Sequence, residues 1–348
     1  MTLTEVSYYS RKAAPFVLLS FLILLILYYF IRVLLLTILP ESPKSIYLNP
    51  IFGKIKQPMI KETTSSSDLS FKIDTIEGKP VTSTDSAQVY FLPSATARFG
   101  YREKISLSAK SLGFYTESVK HVLEGKEAIF NDDKQSLRID ISNFNFTYEY
   151  NFEKDPQVFA NTITPQKKES EDKAINFLTS VGRYPEELAK GKTNIIFISY
   201  NLEAKQMKLL DTNAEANMVE VDFYRPDQEI YPVVSPKYFN SQNYVMMVFY
   251  QSDFKIIKAQ IKYYEKSDTQ TGVYPIKTGD TAWEALNTGK GLVIQNEANS
   301  QNIVIKKMFL GYLDPDIYQE YLQPVYVFLG ENNFVSYVPA ITDSYFSE

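Results

Sequence analysis

The longest run of apolar positions lies near the start of the chain. Residues 13–31 carry no charge and include most of "FLILLILYYFIRVLLL". A helix rises about 1.5 Å per residue, so this run nearly crosses the ~30 Å hydrocarbon core of a membrane. Pro15 is typical of the first turn of a helix, and Pro40 and Pro43 predict its end. Because no small-residue cleavage site follows, the pattern predicts an uncleaved transmembrane signal anchor at 13–39.

Arg32 interrupts the apolar run and follows Tyr28 and Tyr29. If the span covers Ala13–Ile31, Arg32 lies at the outer membrane interface and the tyrosine rings belong to an aromatic belt. If the span covers Phe16–Ile38, Arg32 lies inside the membrane on a polar face that could meet a partner helix. We favour the first register, which makes Tyr28, Tyr29 and Arg32 membrane-interface residues.

Charges around the anchor bear on its orientation. Arg11 and Lys12 precede the apolar run, but several lysines follow it, so a simple count of basic residues does not favour a cytoplasmic N-terminus. A short basic tail before a first apolar segment is nevertheless the usual cytoplasmic signal, and long domains cross membranes largely regardless of charge. We expect residues 1–12 to form a cytoplasmic tail and the bulk of the chain to be extracytoplasmic.

Beyond the anchor, residues 40–67 are rich in Pro, Lys, Ser and Thr and read as a linker. Two blocks follow, a first α+β lobe at 68–160 and a second at 161–348. "LRIDI" followed by "FNFTYEYNF" predicts an antiparallel hairpin that turns at Ser142–Asn143, and "FLGENNFVSY" predicts another. In "FKIIKAQIKYYE", Ile256 and Lys258–Tyr264 give no clean alternation, which predicts a β-bulge or burial on both faces.

Short helical periods separate these strands. "SLSAKSLGF" predicts a helix that stops at Gly113, "SEDKAINFLTSVG" one that stops at Gly182, and "DTAWEALNTGKG" one capped by Thr278 or Asp280. "SVKHVLEGKEAIF" fits either a helix ending at Gly125 or a hairpin turning there, and we favour the hairpin. The fold predicted is α+β: one N-terminal transmembrane helix, then an ectodomain of antiparallel sheets with a few short helices packed on them, in two lobes.

Aromatic composition supports a sheet-rich ectodomain. The chain has 26 Tyr and 23 Phe against a single Trp, and these residues favour half-buried pleated surfaces. Runs such as "FTYEYNF" and "GYLDPDIYQEYLQPVYVF" exceed what one sheet face can bury. The surplus tyrosines suit a ligand groove or a protein interface, or else form a sheet surface without a partner.

Charge and composition exclude several classes of function. The net charge is −5 and basic residues are scattered, which argues against nucleic acid as a partner. The absence of cysteine from the sequence excludes disulfides, thiol catalysis and cysteine-bound metals. The sequence has one histidine, His121, which we read as structural. Phosphate-binding glycine loops and the G-x-S-x-G motif do not occur in the sequence, so we expect no cofactor and no enzymatic activity.

One polar segment has the spacing of a calcium loop. "DTNAEANMVEVD" runs from Asp211 to Asp222. Its sixth position is Ala216, where such a loop needs glycine, and its twelfth is aspartate rather than glutamate. We therefore interpret it as a polar hairpin tip and expect no metal there.

Longer segments resemble known proteins. "YPIKTGDTAWEALNTGKGLV", "IKKMFLGYL" and "YLQPVYVFLGENNFVSYVPAI" resemble the C-terminal part of an uncharacterised family of single-pass bacterial membrane-anchored proteins. "AKSLGF" and "LRIDISNFNFTYEYNF" resemble its N-terminal part, and that family has no activity to carry over. The helix-then-hairpin units also resemble PepSY-like modules and the Yyc-type extracytoplasmic regulators of sensor kinases. This resemblance implies regulation through protein contacts and assigns no site residue.

These patterns predict a cell-membrane protein with a single span and a cytoplasmic N-terminus. Its expected function is binding, regulation or adaptation without catalysis. The expected partners are membrane lipid around the N-terminal helix, and a protein or an envelope ligand at the ectodomain. The alternatives are a structural or assembly component of the cell envelope, and an envelope hydrolase that uses carboxylates.

Overall fold

The computed structural model describes residues 3–38, 47–61, 63–97, 99–117, 121–251 and 253–347. The chain divides into two units, Met1–Ile46 and Tyr47–Glu348.

The first unit contains one long helix, α1 (Leu3–Ile38), of 36 residues. Its segment Lys12–Leu34 has a mean hydropathy of 2.6 and is long and apolar enough to cross a membrane. Pro15 lies inside this helix rather than in its first turn, so that detail of the prediction is wrong. The helix continues through the proline, whose ring nitrogen cannot donate the usual bond to a carbonyl four residues back. The predicted stop signals Pro40 and Pro43 lie outside the described residues.

The second unit is α+β and is built on two nine-stranded sheets. The mixed sheet contains β1 (Thr64–Ser65), β2 (Ser70–Ile73), β3 (Ser86–Phe91), β11 (Val233–Val234), β14 (Thr271–Pro275), β15 (Leu292–Gln295), β16 (Asn302–Leu313), β17 (Tyr321–Gly330) and β18 (Val335–Pro339). The antiparallel sheet contains β4 (Val122–Glu124), β5 (Glu127–Asn131), β6 (Gln135–Asp140), β7 (Phe146–Tyr150), β8 (Lys192–Asn201), β9 (Gln206–Leu210), β10 (Met218–Tyr224), β12 (Tyr244–Phe249) and β13 (Phe254–Ile261). The described helices of this unit are α2 (Tyr101–Ser111), α3 (Lys167–Val181), α4 (Glu186–Ala189) and α5 (Gly279–Ala285).

The antiparallel sheet has the strand order β4-β5-β6-β7-β13-β12-β10-β8-β9. The predicted hairpins β4–β5 and β6–β7 are confirmed. The predicted bulge is also confirmed, as a register shift where β13 pairs with Met246 and Met247 of β12. Beyond this shift the alternation is clean, contrary to expectation: Ala259 and Ile261 are fully buried, whereas Lys258 and Gln260 lie on the other face. The bulge restores the two-residue period of the strand.

Helices α2 and α3 cover one face of the antiparallel sheet. The predicted stripe of α3 is confirmed, since Ala174, Phe177, Leu178 and Val181 are buried, and Gly182 ends the helix with a φ of 74°. Side chains alternate along a strand, so the buried Val219, Val221 and Phe223 of β10 face these helices. Glu220 and Asp222 therefore belong to the opposite, polar face of the sheet.

The mixed sheet joins segments that lie far apart in the chain. β2 pairs in parallel with β16, and β3 pairs with β14 and β17, so residues on both sides of position 160 contribute to this sheet. Residues 47–67, which the sequence assigns to the linker 40–67, belong to the folded unit, and residues 40–46 lie outside the described residues. Ile55 is buried and bridges to Phe346, and Ser66 is buried and donates to the carbonyl of Leu286 at 2.7 Å.

Many of the surplus tyrosines lie in the hydrophobic core rather than on a surface. Tyr274, Tyr312, Tyr326 and Tyr337 are almost completely buried. Each of their hydroxyls donates to a backbone carbonyl at 2.7–3.1 Å, for example that of Tyr337 to Ser235. A tyrosine can be buried at little cost once its hydroxyl has an acceptor. The tyrosine count therefore reflects the core as well as any binding surface.

Candidate functional site

A cleft of about 530 Å³ lies between the polar face of the antiparallel sheet and the mixed sheet. Its floor comes from β7, β12 and β13, one wall from the loop 235–243, and the other wall from β15 and the turn after β16. The lining residues are Ile60, Lys61, Thr147, Glu149, Pro236, Lys237, Asn240, Ser241, Gln242, Tyr244, Lys258, Gln260, Lys262, Ile294, Gln295 and Asp316.

Strand register explains why the floor of the cleft is polar. Tyr244 of β12 lies opposite Gln260 of β13, which in turn lies opposite Thr147 of β7. In the next row Lys258 lies opposite Glu149. Residues in register on neighbouring strands point to the same face, so these side chains form two polar rows on the face without helices.

The charge of the cleft lining is predominantly positive. Lys61, Lys237, Lys258 and Lys262 line it, against two carboxylates. Lys258 lies 3.5 Å from Glu149, whereas the other three lysines form no ion pair within the described part of the chain. Cations gathered in a concave surface with low-dielectric walls focus a positive potential that attracts anions.

A carboxyl pair lies behind this lining on β10. Burial, and then the neighbouring Glu220, raise the pKa of Asp222 to about 8, and burial also raises the pKa of Glu220. The Asp222 Oδ2 accepts from the backbone N–H of Ser241 and from the hydroxyl of Tyr224, both at 3.2 Å. Because ionising both interacting carboxyls is unfavourable, Asp222 keeps its proton near neutral pH. A protonated Asp222 does not offset the charge of the cleft lysines.

This carboxyl pair predicts a pH dependence of stability. The pKa of Asp222 is raised from 3.8 to about 8 on folding, so folded Asp222 keeps a proton that unfolded Asp222 loses. The free energy of unfolding should therefore fall as pH rises between these values, by up to ~1.4 kcal/mol per pH unit for this group. We expect Asp222→Asn to flatten that fall, as measured by denaturant unfolding from pH 5 to pH 8. Parallel pH profiles of variant and wild type would contradict this assignment.

Arg225 connects the two sheets next to the cleft. Its side chain is fully buried, with Nε 2.6 Å from Asp314 Oδ1 and Nη1 2.7 Å from Glu187 Oε2. Its Nη2 donates to the carbonyl of Tyr264, and its guanidinium lies 4.0 Å from the ring centroid of Tyr263. Burial alone would lower the pKa of Arg225, but Asp314, Tyr263 and Glu187 together raise it, so the side chain stays charged. We call these five residues the Arg225 network.

Gln242 joins the Arg225 network to the cleft. Its Nε2 donates to Asp314 Oδ2 at 2.6 Å, and the residue also lines the cleft. Its Oε1 is buried and has no hydrogen-bond donor among the described residues, and the same holds for Oδ1 of Asp316. A buried acceptor without a donor is costly, so both oxygens suit a ligand that donates hydrogen bonds.

The predicted membrane-interface residues all lie on α1. The rings of Tyr28 and Tyr29 meet edge to face with centroids 5.5 Å apart, and both side chains are exposed. Arg32 is exposed one turn further along the helix. Their place at a membrane interface stays a prediction.

The sequence also singled out His121 and the segment from Asp211 to Asp222. The ring of His121 lies 5.5 Å from that of Phe130. The segment from Asp211 to Asp222 is not the tip of a hairpin, contrary to prediction: β9 pairs with β8, so the chain passes the end of β8 before it enters β10. Asp222 belongs to that strand and is fully buried. Within the described residues, no group of three or more His, Cys, Asp and Glu side chains could hold a metal ion.

Sequence reasoning missed the cleft because its lysines are far apart in the chain. Lys61 precedes the first strand, Lys237 lies in a loop, and only Lys258 and Lys262 are close in sequence. The spacing of Lys258, Gln260 and Lys262 could have indicated a polar sheet face, since alternate residues of a strand share a face. The bulge before Lys258 interrupts the two-residue alternation of β13, so the pattern is not evident along the whole strand.

Comparisons with known proteins give little to transfer. No protein-family model and no curated protein matches the chain. Among solved structures, an uncharacterized protein from Eubacterium rectale ATCC 33656 is similar over 78% of this chain and 87% of that chain, with 12% sequence identity and a TM-score of 0.36. A likeness at that level carries no argument about function.

Proposed function

We propose that this chain is a membrane-anchored extracytoplasmic binding protein. Residues 47–348 would act outside the cytoplasm as a non-enzymatic regulator or adaptor that binds an envelope ligand or a protein. The observation that carries this proposal is the lysine-lined cleft, in which two acceptor oxygens have no donor among the described residues. A concave site with a few convergent polar groups is the usual place for a ligand.

The apolar helix supports the anchor part of the proposal. Lys12–Leu34 has the length and hydropathy of a transmembrane span, and this apolar segment is exposed. An apolar surface of this size needs a cover, and lipid fits its length. In the proposed orientation the basic Arg11 and Lys12 stay in the cytoplasm.

Because the chain contains no cysteine, its orientation can be tested cleanly. Lys208→Cys introduces a thiol at an exposed position of β9, and a cysteine added before Met1 provides the matched control. We expect a membrane-impermeant maleimide to label Lys208→Cys in intact cells, and to label the added cysteine only after lysis. The opposite pattern would contradict the extracytoplasmic placement.

The register of the span has its own test. If the span covers Ala13–Ile31, its midpoint is Leu22, and if it covers Phe16–Ile38, the midpoint is Leu27. Spin labels placed singly along α1 in lipid vesicles should be deepest at Leu22, which leaves Arg32 at the interface. A depth maximum at Leu27 would place Arg32 inside the membrane instead.

One observation favours an assembly role as a second candidate. The edge strands of the antiparallel sheet expose large apolar side chains, including Val122 on β4 and Leu209 on β9, 66% and 69% exposed. Exposed apolar edges can pair with another chain. If they do, the mass of the detergent-solubilised protein should exceed that of a monomer, and Leu209→Lys should return it to the monomer value.

The hydrolase alternative has less support. Glu220 and Asp222 form an interacting carboxyl pair on β10, but Asp222 is fully buried and neither residue lines the cleft. Glu149, which does line it, is paired with Lys258.

A further inference from the structure

We infer that the cleft binds an anionic polyol, that is, a sugar or polyol chain carrying carboxylate or phosphate groups. The inference rests on the proposed function and names the class of ligand for the same site. Its basis is that the cleft offers both cations and unpartnered acceptors, so a single ligand must supply both anions and hydroxyl donors.

The cations define the first requirement. Lys237 lies in the loop that forms one wall of the cleft, and Lys262 directly follows the floor strand β13. Neither lysine forms an ion pair within the described residues. Of the carboxyl pair on β10, Asp222 keeps its proton up to about pH 8. At neutral pH the lysines are therefore only partly compensated, and charge-assisted hydrogen bonds to a ligand anion would complete them.

The acceptors define the second requirement. Gln242 is 7% exposed and lines the cleft, and its Oε1 has no donor among the described residues, while its Nε2 donates to Asp314. Because Asp314 fixes the orientation of this amide, the oxygen cannot turn away to find a donor. Asp316 also lines the cleft, and its buried Oδ1 has no hydrogen-bond donor among the described residues. A purely anionic ligand has only acceptors and would leave both oxygens unsatisfied, whereas hydroxyl groups would satisfy them.

The size and lining of the cleft narrow the choice further. A volume of about 530 Å³ lies in the range of pockets that enclose small ligands, so a short segment of a chain would fill it. Tyr244 is the one aromatic side chain in the lining. A single ring does not form the stacking platform that is typical of sites for single-stranded nucleic acid. A segment that carries both anions and hydroxyls matches a site that offers both lysines and acceptors.

The test uses the full-length protein in detergent micelles and four defined probes. Oligogalacturonate supplies carboxylates with hydroxyls, glycerol phosphate oligomers supply phosphates with hydroxyls, polyglutamate supplies anions without hydroxyls, and dextran oligomers supply hydroxyls without charge. We expect calorimetric binding to one or both hydroxylated anions, at least about tenfold tighter than to polyglutamate or dextran. The hydroxylated probe that binds more tightly shows whether the anion recognised is a carboxylate or a phosphate.

Two sets of variants link binding to the cleft. Lys237→Gln combined with Lys262→Gln should weaken binding about tenfold or more, because each removes a charge-assisted hydrogen bond. The matched control, Lys110→Gln with Lys208→Gln, removes two exposed lysines outside the cleft and should leave affinity unchanged. Asp316→Ala should weaken binding of the hydroxylated anion and strengthen that of polyglutamate, since it removes both an acceptor and a negative charge.

Three results would overturn the inference. They are absence of binding to both hydroxylated anions, equal affinity for polyglutamate, and equal loss of affinity in the cleft and control variants. Such results would leave the topology labelling at Lys208 unaffected, so failure of this ligand class is distinguishable from failure of the extracytoplasmic proposal.

Discussion

Replacing Arg225 with methionine should lower the free energy of unfolding by about 3–5 kcal/mol. The substitution leaves the buried Asp314 and the half-buried Glu187 next to an apolar side chain, after each has lost a charged partner at 2.6–2.7 Å. A buried charge without compensation costs far more than a surface pair is worth. Denaturant unfolding of the full-length protein in micelles, followed by tyrosine fluorescence, measures the change.

An exposed arginine with the same kind of partners provides the control. Arg138 contacts Glu124 and Glu127 at 3.3–3.4 Å, but its side chain is 52% exposed. Arg138→Met should therefore cost less than about 1 kcal/mol. Adding Asp314→Leu to Arg225→Met removes one stranded carboxylate and should recover part of the stability. Equal losses for Arg225→Met and Arg138→Met would show that the Arg225 network does not stabilise the unit.

Gly191→Ala should destabilise the protein by about 3 kcal/mol or more. Gly191 precedes β8 and passes so close to the end of β10 that an added Cβ would lie 1.8 Å from the carbonyl oxygen of Tyr224. That obstacle is backbone, which cannot rotate away like a side chain. The same displacement would move Arg225, so cleft binding should weaken together with stability. Unfolding and calorimetric titration of one preparation measure both effects.

Gly53→Ala is the control that separates steric crowding from the strain of an alanine in the left-handed region. Gly53 has a φ of +64° but nothing within 4 Å of an added Cβ. An alanine there costs about 1–2 kcal/mol through its left-handed backbone alone. If Gly191→Ala cost no more than Gly53→Ala, the chains near Tyr224 would have room to separate, and the close approach would not be structurally important.

Local features of the fold could be predicted because their signals are local. The apolar stripe of α3 depends on residues within a few helical turns of each other. The hairpins β4–β5 and β6–β7 each join two strands that follow one another in the chain. The pairing of β2 with β16 could not be predicted, because short parallel strands carry no mark of a distant partner. For the same reason the sequence suggested lobes that meet at residue 160, whereas the mixed sheet takes strands from both sides.

The candidate site was harder to predict than the fold. Arg225 is one basic residue in "DFYRPDQ", and its partners Glu187 and Asp314 come from a short helix and from the far end of β16. Glu220 and Asp222 have the spacing of a strand with a solvated face, yet Asp222 is fully buried and its Oδ2 accepts from the backbone N–H of Ser241 in the loop 235–243. Which charged residues become buried depends on the tertiary structure. The sequence therefore showed only that charged residues are scattered, and it did not predict where they meet.

The long separation between paired strands has a consequence for biosynthesis. Every strand of the antiparallel sheet lies between residues 122 and 261, so that sheet can assemble before residues 262–348 are made. Ser70 of β2 must wait for Asn302, about 230 residues later, which takes roughly 10–50 s at typical rates of synthesis. The second wall of the cleft, with Ile294 and Asp316, is also made late. A nascent chain therefore carries an uncovered lysine face and unpaired N-terminal strands, and these are the surfaces that a chaperone would need to shield.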